Sequence, residues 1–243
     1  MRNLLKLLFT IGTVCLVLTG CHNYNIKSPK QIRNYLVPRT VWVGVPGSGH
    51  GSGSVINYHG KRYIATNAHV CNIAFNHKDI YIKSNLKEKL YKVEIVTVDR
   101  RHDICLTTVP HEFRTYGLKL GMQPHEGDDV YVLGFPYSNR KTFVFGEYTG
   151  EQTIKVPYDY SKEDCPIDIT EVRSIFGLVK VCKLSMVSGE ITATIYPGNS
   201  GSAVVNNRGL MVGIIFAGDR VSTVTNYMIP VRFLRELLKT LEK

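Results

Sequence analysis

Pro197-Gly198-Asn199-Ser200-Gly201-Ser202 decides the reading of this chain, taken with Ala65-Thr66-Asn67-Ala68-His69-Val70 and His102-Asp103-Ile104-Cys105-Leu106 upstream of it. Each stretch lies beside a run of strand-like residues, and together they supply a His, an Asp and a Ser in that order. A serine hydroxyl is a poor nucleophile until a base takes its proton, and the base needs an acid to fix its tautomer. Glycines on either side of Ser200 let the backbone bend sharply, so two N–H groups can face one carbonyl oxygen.

Outward from these stretches, the chain between Thr40 and Pro230 alternates short apolar runs with turn residues. Val41 to Val45, Tyr63 to Thr66, Ile80 to Ile82, Val93 to Val98 and Ile104 to Val109 read as strands. So do Val130 to Phe135, Phe143 to Tyr148, Val179 to Leu184, Ile191 to Ile195, Ala203 to Val205, Met211 to Phe216 and Val224 to Ile229. Many short strands with little helix predict an all-β sandwich or barrel. Past Pro230, Phe233, Leu234, Leu237, Leu238 and Leu241 recur at helical spacing and predict a C-terminal helix.

The three motifs in this order resemble those of the chymotrypsin-like (trypsin-like) serine proteases, especially the bacterial HtrA-like and glutamyl-endopeptidase-like branches. Gly51-Ser52-Gly53-Ser54-Val55 precedes the His motif as that family's Gly-Ser-Gly strand does, and Val132-Leu133-Gly134-Phe135-Pro136 matches the segment opening its second barrel. The resemblance covers nearly all of residues 40–230 and implies two six-stranded antiparallel β-barrels, with His69 and Asp103 from the first and Ser200 from the second. It implies a serine endopeptidase acting on polypeptide, with no cofactor and no metal. In that scheme Ser200 is the nucleophile, His69 the general base and Asp103 the residue that orients the imidazole. The main-chain N–H groups of Gly198 and Ser200 form the oxyanion hole.

Two positions depart from the commoner patterns of the family. Ser202 replaces the usual second glycine, a change the glutamyl endopeptidases tolerate. Asn199 stands where trypsin-like zymogens hold an aspartate that pairs with a new N-terminus, so activation by propeptide cleavage is not expected. By register against the family, Thr194, Ile195 and Thr225 line the S1 pocket, and Phe216-Ala217-Gly218 pairs with substrate backbone. No acidic residue occupies the pocket base, and no His occurs in Gly213-Ile214-Ile215-Phe216. The expected P1 residue is therefore neutral and small to medium.

His102, beside Asp103, is the rival histidine; in a strand its side chain points to the opposite face, toward solvent. His22, His50, His59, His77, His111 and His125 have no partner pattern and read as surface residues. The Gly-rich stretch from Gly44 to Gly53 lacks the Lys-Ser/Thr ending of a phosphate-binding loop and leads into a strand.

The first residues read as an export signal. Arg2 and Lys6 make a basic start, Leu7 to Thr19 is almost unbroken apolar, and Leu18-Thr19-Gly20-Cys21 resembles a bacterial lipobox. That resemblance implies a signal peptide over residues 1–20 and lipidation at Cys21. His22 rather than aspartate follows, which by analogy directs the anchor to the outer membrane, on its periplasmic face. Residues 21–40, polar and basic with Pro29 and Pro38, read as a tether, and 41–243 as one protease domain. The HtrA-like enzymes usually continue into a peptide-binding PDZ domain, for which no sequence remains.

Four cysteines are left after Cys15 and Cys21, and an even number in an exported chain favours disulfides. Cys71 lies two residues after His69 and Cys105 two after Asp103, which predicts that this pair is bridged; Cys165 and Cys182 form the second candidate pair. A zinc site lacks close ligand spacing. The formal charge is +10, of which Arg2 and Lys6 account for two. The basic residues are scattered without aromatic interleaving, so no nucleic-acid partner is expected; attraction to an anionic membrane near the anchor is the simpler use of the charge. Two other function classes are weighed. A catalytically idle lipoprotein that binds or blocks a receptor would normally have lost a triad residue. An esterase would carry Gly-x-Ser-x-Gly on a strand-to-helix elbow, in the order Ser, Asp, His.

Overall fold

The computed structural model describes residues 26–75, 79–84, 89–138, 141–158, 169–174, 177–218 and 226–242. It is mostly β, in two antiparallel sheets followed by a C-terminal helix. The first sheet contains β1 (Thr40–Val45), β2 (Gly49–Tyr58), β3 (Lys61–Thr66), β4 (Ile80–Ser84), β5 (Leu90–Val93), β6 (Ile95–Asp99) and β7 (Ile104–Thr107), in the order β5-β4-β1-β2-β3-β7-β6. Its two edges are consecutive runs of the chain, broken only at Glu94. The expected strand Val93 to Val98 is thus split: β5 pairs with β4, β6 pairs with β7, and the sheet curls round between them. Glu94 stays attached through its N–H to Thr108 Oγ1 (3.0 Å) and its carbonyl to the Thr108 N–H (2.9 Å).

The second sheet holds β8 (Asp129–Gly134), β9 (Thr142–Tyr158), β10 (Ile169–Ser174), β11 (Gly177–Ile191), β12 (Ala203–Asn206), β13 (Met211–Gly218) and β14 (Asn226–Pro230). Six of these close a barrel, β9-β8-β12-β13-β14-β11, through the pairing of β11 with β9, and β10 adds to β11 as a hairpin. Of the two six-stranded barrels expected from the sequence, the second is closed, whereas the first is a seven-stranded half-barrel sheet whose edges do not pair among the described residues. The sequence also placed Ile191 to Ile195 in a strand. In the structure β11 ends at Ile191, and 192–196 is an irregular segment leading to the Ser200 turn. Val224 lies outside the described residues.

Three cores follow from the alternation of side chains along the strands. Val41, Val43, Val55, Ile64, Ile80, Ile82 and the two cysteines Cys71 and Cys105 fill the first sheet. Val130, Val132, Tyr148, Ile191, Val204, Val212 and Met228 fill the second. The third core joins the sheets: Ile56, Ala65, Ile104 and Leu106 from one meet Leu133, Ala203, Met211, Ile214 and Ile229 from the other. The C-terminal helix seals this joint with Val231, Leu234, Leu237 and Leu238.

An N-terminal helix does the same, which corrects the tether reading for Pro29–Leu36 within residues 21–40. Residues Pro29–Leu36 form helix α1. Ser28 caps it in a capping box with Gln31, and Pro29 stands in the first turn, where a missing N–H costs nothing. Ile32 and Leu36 are fully buried in the joint between the sheets. The two prolines and the basic residues suggested a linker, but Pro29 is a helix start and the basic side chains lie on the outer face. Helix α2 covers Ala68–Phe75 and α3 covers Val231–Thr240. Among the described residues, no helix is long and apolar enough to cross a membrane.

Because Leu36 is 1% exposed, Leu36→Ala should destabilise the protein by about 2–5 kcal/mol. Chemical denaturation measures this; a change below about 0.5 kcal/mol would show that the segment is a tether after all.

Candidate active site

His69 stands in the first turn of α2, directly after β3. Asp103 ends the turn between β6 and β7. Since β3 and β7 are paired, with Thr66 opposite Cys105, the two residues meet at one end of the sheet. His69 Nδ1 lies 2.7 Å from Asp103 Oδ2, and the His69 N–H donates to Asp103 Oδ1 at 2.8 Å. The Asp103 carbonyl in turn accepts from Ala68 N–H (3.1 Å) and Asn67 Nδ2 (3.0 Å). These bonds hold Asp103 at φ 54, in the left-handed region where Asp is better tolerated than most residues.

The Asp103 side chain is 3% exposed, whereas 40% of the His69 side chain is open. Desolvation pushes the His69 pKa down, but the charge of Asp103 and its hydrogen bond outweigh this, and the net shift is upward. The imidazolium therefore survives to higher pH than for a free imidazole. Cys71 and Cys105 are joined in a disulfide with Cα atoms 6.5 Å apart, as expected, tying α2 to β7 behind the pair. With a sequence separation of 34, the cross-link is worth about 3–4 kcal/mol in the chain-entropy model. Cys165 lies outside the described residues, and with it the expected bond to Cys182 of β11.

Ser200 lies in the turn before β12, in the second barrel. Tyr196-Pro197-Gly198-Asn199 forms a turn closed by Asn199 N–H to Tyr196 O at 3.0 Å, with Gly198 at φ 97. Proline in the second position and a positive-φ glycine in the third make this the type II form. A side chain at Gly198 would also come within 2.5 Å of Phe135 O and 2.7 Å of His50 Nε2. Among the described residues, neither the Gly198 N–H nor the Ser200 N–H is taken by a hydrogen bond. Ser200 Oγ donates to the Phe216 carbonyl at 3.4 Å, a long bond, and not to His69.

The turn docks on β2 of the other barrel. Ser52 N–H donates to Ser200 O at 2.7 Å, and a side chain at Gly51 would meet both Ser200 O (2.8 Å) and Val70 (2.6 Å). The residue following His69 and the backbone of Ser200 thus abut the same glycine. Asn199 is 1% exposed, and neither its Oδ1 nor its Nδ2 has a partner among the described residues.

Of the expected specificity residues, Thr194 and Ile195 are half-buried in the segment between β11 and the Ser200 turn. Phe216, Ala217 and Gly218 run past the end of β12, so on that side no strand covers their backbone among the described residues. Thr225 lies outside the described residues. Sequence reasoning missed two buried polar residues at the site. Asn226 donates to Ala193 O (2.8 Å) and so holds the start of the Thr194 segment. Ser52 bridges Gly198 and Phe135. Their side chains are polar and fully buried, a combination invisible without the fold.

Two histidines expected to face solvent are partly buried against other elements. His102 sits in a turn, not a strand; its ring stacks on Phe233 at 4.0 Å and its Nδ1 lies 2.7 Å from Asp99 Oδ2. Burial pushes the Asp99 carboxyl up, but hydrogen bonds from the His102 ring and backbone bring it below the usual range. His50 stacks on Trp42, with Nε2 3.2 Å from Phe135 O.

A family model described as trypsin-like peptidase domain matches residues 51–214. This chain belongs to the trypsin-like peptidase family. It is 28% identical over 201 residues to a serine protease DegP homolog of Plasmodium falciparum, covering 82% of this chain and 20% of that one. It is 28% identical over 200 residues to an HtrA-like serine protease of Staphylococcus aureus, covering 79% and 23%. The chain thus spans about a fifth of the length of these relatives. Among solved structures, it superposes on the active form of a Mycobacterium tuberculosis protease with TM-score 0.67 at 19% identity, covering 86% of this chain and 82% of that one. A serine endoprotease of Yersinia pestis gives TM-score 0.65 at 21% identity, covering 88% and 66%. At those identities the likeness is one of fold alone.

Asp103 is the cause of the raised His69 pKa, so Asp103→Asn should lower it. NMR titration of the imidazole should show the His69 ring losing its proton at lower pH in the variant than in the unaltered protein. An unchanged midpoint would mean that the carboxylate does not govern the charge of the ring.

Proposed function

We propose that this peptidase domain hydrolyses peptide bonds through Ser200, His69 and Asp103, by way of an acyl-enzyme. The observation that carries the reading is the doubly bonded Asp103–His69 pair. The carboxylate takes both the backbone N–H and the ring Nδ1–H of His69, leaving Nε2 as the only ring position able to accept a proton. When substrate enters, the Ser200 hydroxyl exchanges its long bond to Phe216 O for His69 Nε2 and attacks the carbonyl carbon. His69 takes the hydroxyl proton, and Asp103 stabilises the resulting imidazolium. The oxyanion of the tetrahedral intermediate is received by the N–H groups of Gly198 and Ser200, untaken among the described residues, where each such donor is worth about 3–4 kcal/mol to the chemical step. His69 then gives its proton to the departing amine. Water, deprotonated by the same ring, releases the acyl group and regenerates Ser200.

The backbone edge at Phe216-Ala217-Gly218, which no strand covers on the β12 side among the described residues, supports antiparallel pairing with an extended polypeptide. Thr194, Ile195 and Thr225 would meet the P1 side chain, which favours a neutral residue of small to medium size. Asn199 carries no charge with which to bind a new N-terminus, so activity requires no propeptide cleavage. We further propose that the protein is exported and held through a lipid on Cys21, in the outer membrane facing the periplasm.

Ser200→Ala should abolish peptidase activity and labelling by a fluorophosphonate probe while leaving the unfolding midpoint unchanged. Labelling that persists there and disappears in Ser202→Ala would assign the nucleophile to the wrong serine. For the anchor, Cys21→Ser should eliminate palmitate incorporation and release the protein from membranes. Undiminished palmitate labelling would remove the lipobox. Lipidation with two or more chains makes membrane residence stable, at about 0.8 kcal/mol per buried methylene.

A further inference from the structure

Ser52 lies on β2, in the first barrel, and its side chain is fully buried. Its Oγ is 2.7 Å from Gly198 O and 2.9 Å from Phe135 N. Phe135 N can only donate, so the hydroxyl must accept from it and donate its single proton to the Gly198 carbonyl. The backbone of Ser52 is engaged too: its N–H bonds Ser200 O at 2.7 Å, and its carbonyl accepts from Thr66 Oγ1 at 2.7 Å. One residue thus grips the turn at both Gly198 and Ser200.

We propose that Ser52 is a positioning residue of the oxyanion turn; this rests on the peptidase reading above. The Gly198 N–H belongs to the peptide after Pro197, and the Gly198 carbonyl to the peptide before Asn199. Tyr137 N–H holds the first through Pro197 O at 3.1 Å, and Ser52 Oγ holds the second. With both flanking peptides pinned, Gly198 stays at φ 97 and its N–H keeps one direction. The turn has somewhere else to go. Gly134 sits where a side chain would be 2.3 Å from Ser202 Oγ, 2.4 Å from Asn199 Oδ1 and 3.1 Å from Ser52 Oγ. Asn199 Oδ1, Asn199 Nδ2 and Ser202 Oγ are buried without partners among the described residues. Asn199 Oδ1 and Ser202 Oγ thus lie beside Ser52 Oγ around Gly134, close enough to take over partners that the Ser52 hydroxyl releases. A buried polar atom left unpaired is costly, so removing the Ser52 hydroxyl drives the turn to rearrange toward them. In the intact protein Ser52 selects the arrangement that keeps Gly198 N–H free.

The test uses the full chain with three substitutions, Ser52→Ala, Ser52→Cys and, for comparison, Ser54→Ala. Ser54 is also fully buried, but its Oγ accepts from Ala203 N–H, away from the Gly198 peptide. Loss of a whole oxyanion donor lowers kcat by about 10²–10³-fold, and a displaced donor should do somewhat less. Ser52→Ala should therefore lower kcat on a peptide substrate by about 10–100-fold and weaken a peptide-aldehyde inhibitor by the same factor. KM and the Kd of a non-covalent product peptide should move by less than about threefold, because neither uses the oxyanion contacts. Ser52→Cys keeps the volume and loses the strong donor, so it should show the same loss and carries the test if the alanine variant does not fold. Ser54→Ala should keep kcat within about threefold. Unchanged kcat in both Ser52 variants, or a fall in kcat with undiminished aldehyde affinity, overturns the proposal while the peptidase reading stands. If fluorophosphonate fails to label Ser200 in the unaltered protein, both fall together.

Discussion

The backbone of β2 lies directly against the turn that carries Ser200, and the rest of the site depends on that contact. The bond from Ser52 N–H to Ser200 O is 2.7 Å long, and a side chain at Gly201 would sit 2.0 Å from Ser52 O. Two barrels can share a cleft only if something brings one barrel's loop within hydrogen-bonding distance of the other's strand. Side chains at Gly51 and Gly201 would hold them apart. Gly201 also adopts φ 88, which a residue with a Cβ reaches only with strain. The glycines here act by absence, and the buried hydroxyl between them acts by direction.

On the other side of the cleft the constraint is electrostatic. Asp103 is nearly buried, and a buried carboxylate is stable only when its oxygens are fully occupied. The His69 backbone and ring supply one donor to each oxygen. The same need explains the left-handed backbone at Asp103, since the turn must deliver the carboxylate and its own carbonyl to α2 together. The disulfide behind them ties α2 to β7, so the helix bearing His69 cannot drift from the strand that follows Asp103.

The joint between the barrels is the largest apolar cluster, and helices from both ends of the described chain close it. Ile32 and Leu36 enter from α1, and Leu234, Leu237 and Leu238 from α3. The C-terminal helix also reaches the turn before Asp103 through the stack of Phe233 on His102. Packing at the joint and the alignment of the two halves of the site are thus one problem, because each half is anchored in a different barrel.

The residues themselves determined the all-β class, the C-terminal helix, the meeting of His69 with Asp103 and the Cys71–Cys105 bridge. These are legible because chemistry and short-range patterning are written locally: an alternating strand, a Gly-Asn-Ser-Gly turn, or two cysteines each two residues beyond a catalytic-type residue. The helical role of Pro29–Leu36 was not legible, because polar spacing with two prolines resembles a linker until the sheet it packs against is known. Nor could local patterning show that Val93 to Val98 breaks at Glu94, since that bend answers to two different partner strands. His50 and His102 passed for surface residues because their partners, Trp42, Phe135 and Phe233, are distant in sequence or on another element. Ser52 is the sharpest case. Its glycine neighbours marked a close approach, but whether its hydroxyl faced water or Gly198 depended on contacts 146 residues apart in the chain. Only the tertiary fold decides that, because a hydrogen-bond partner is selected by position in space and not by neighbourhood in sequence.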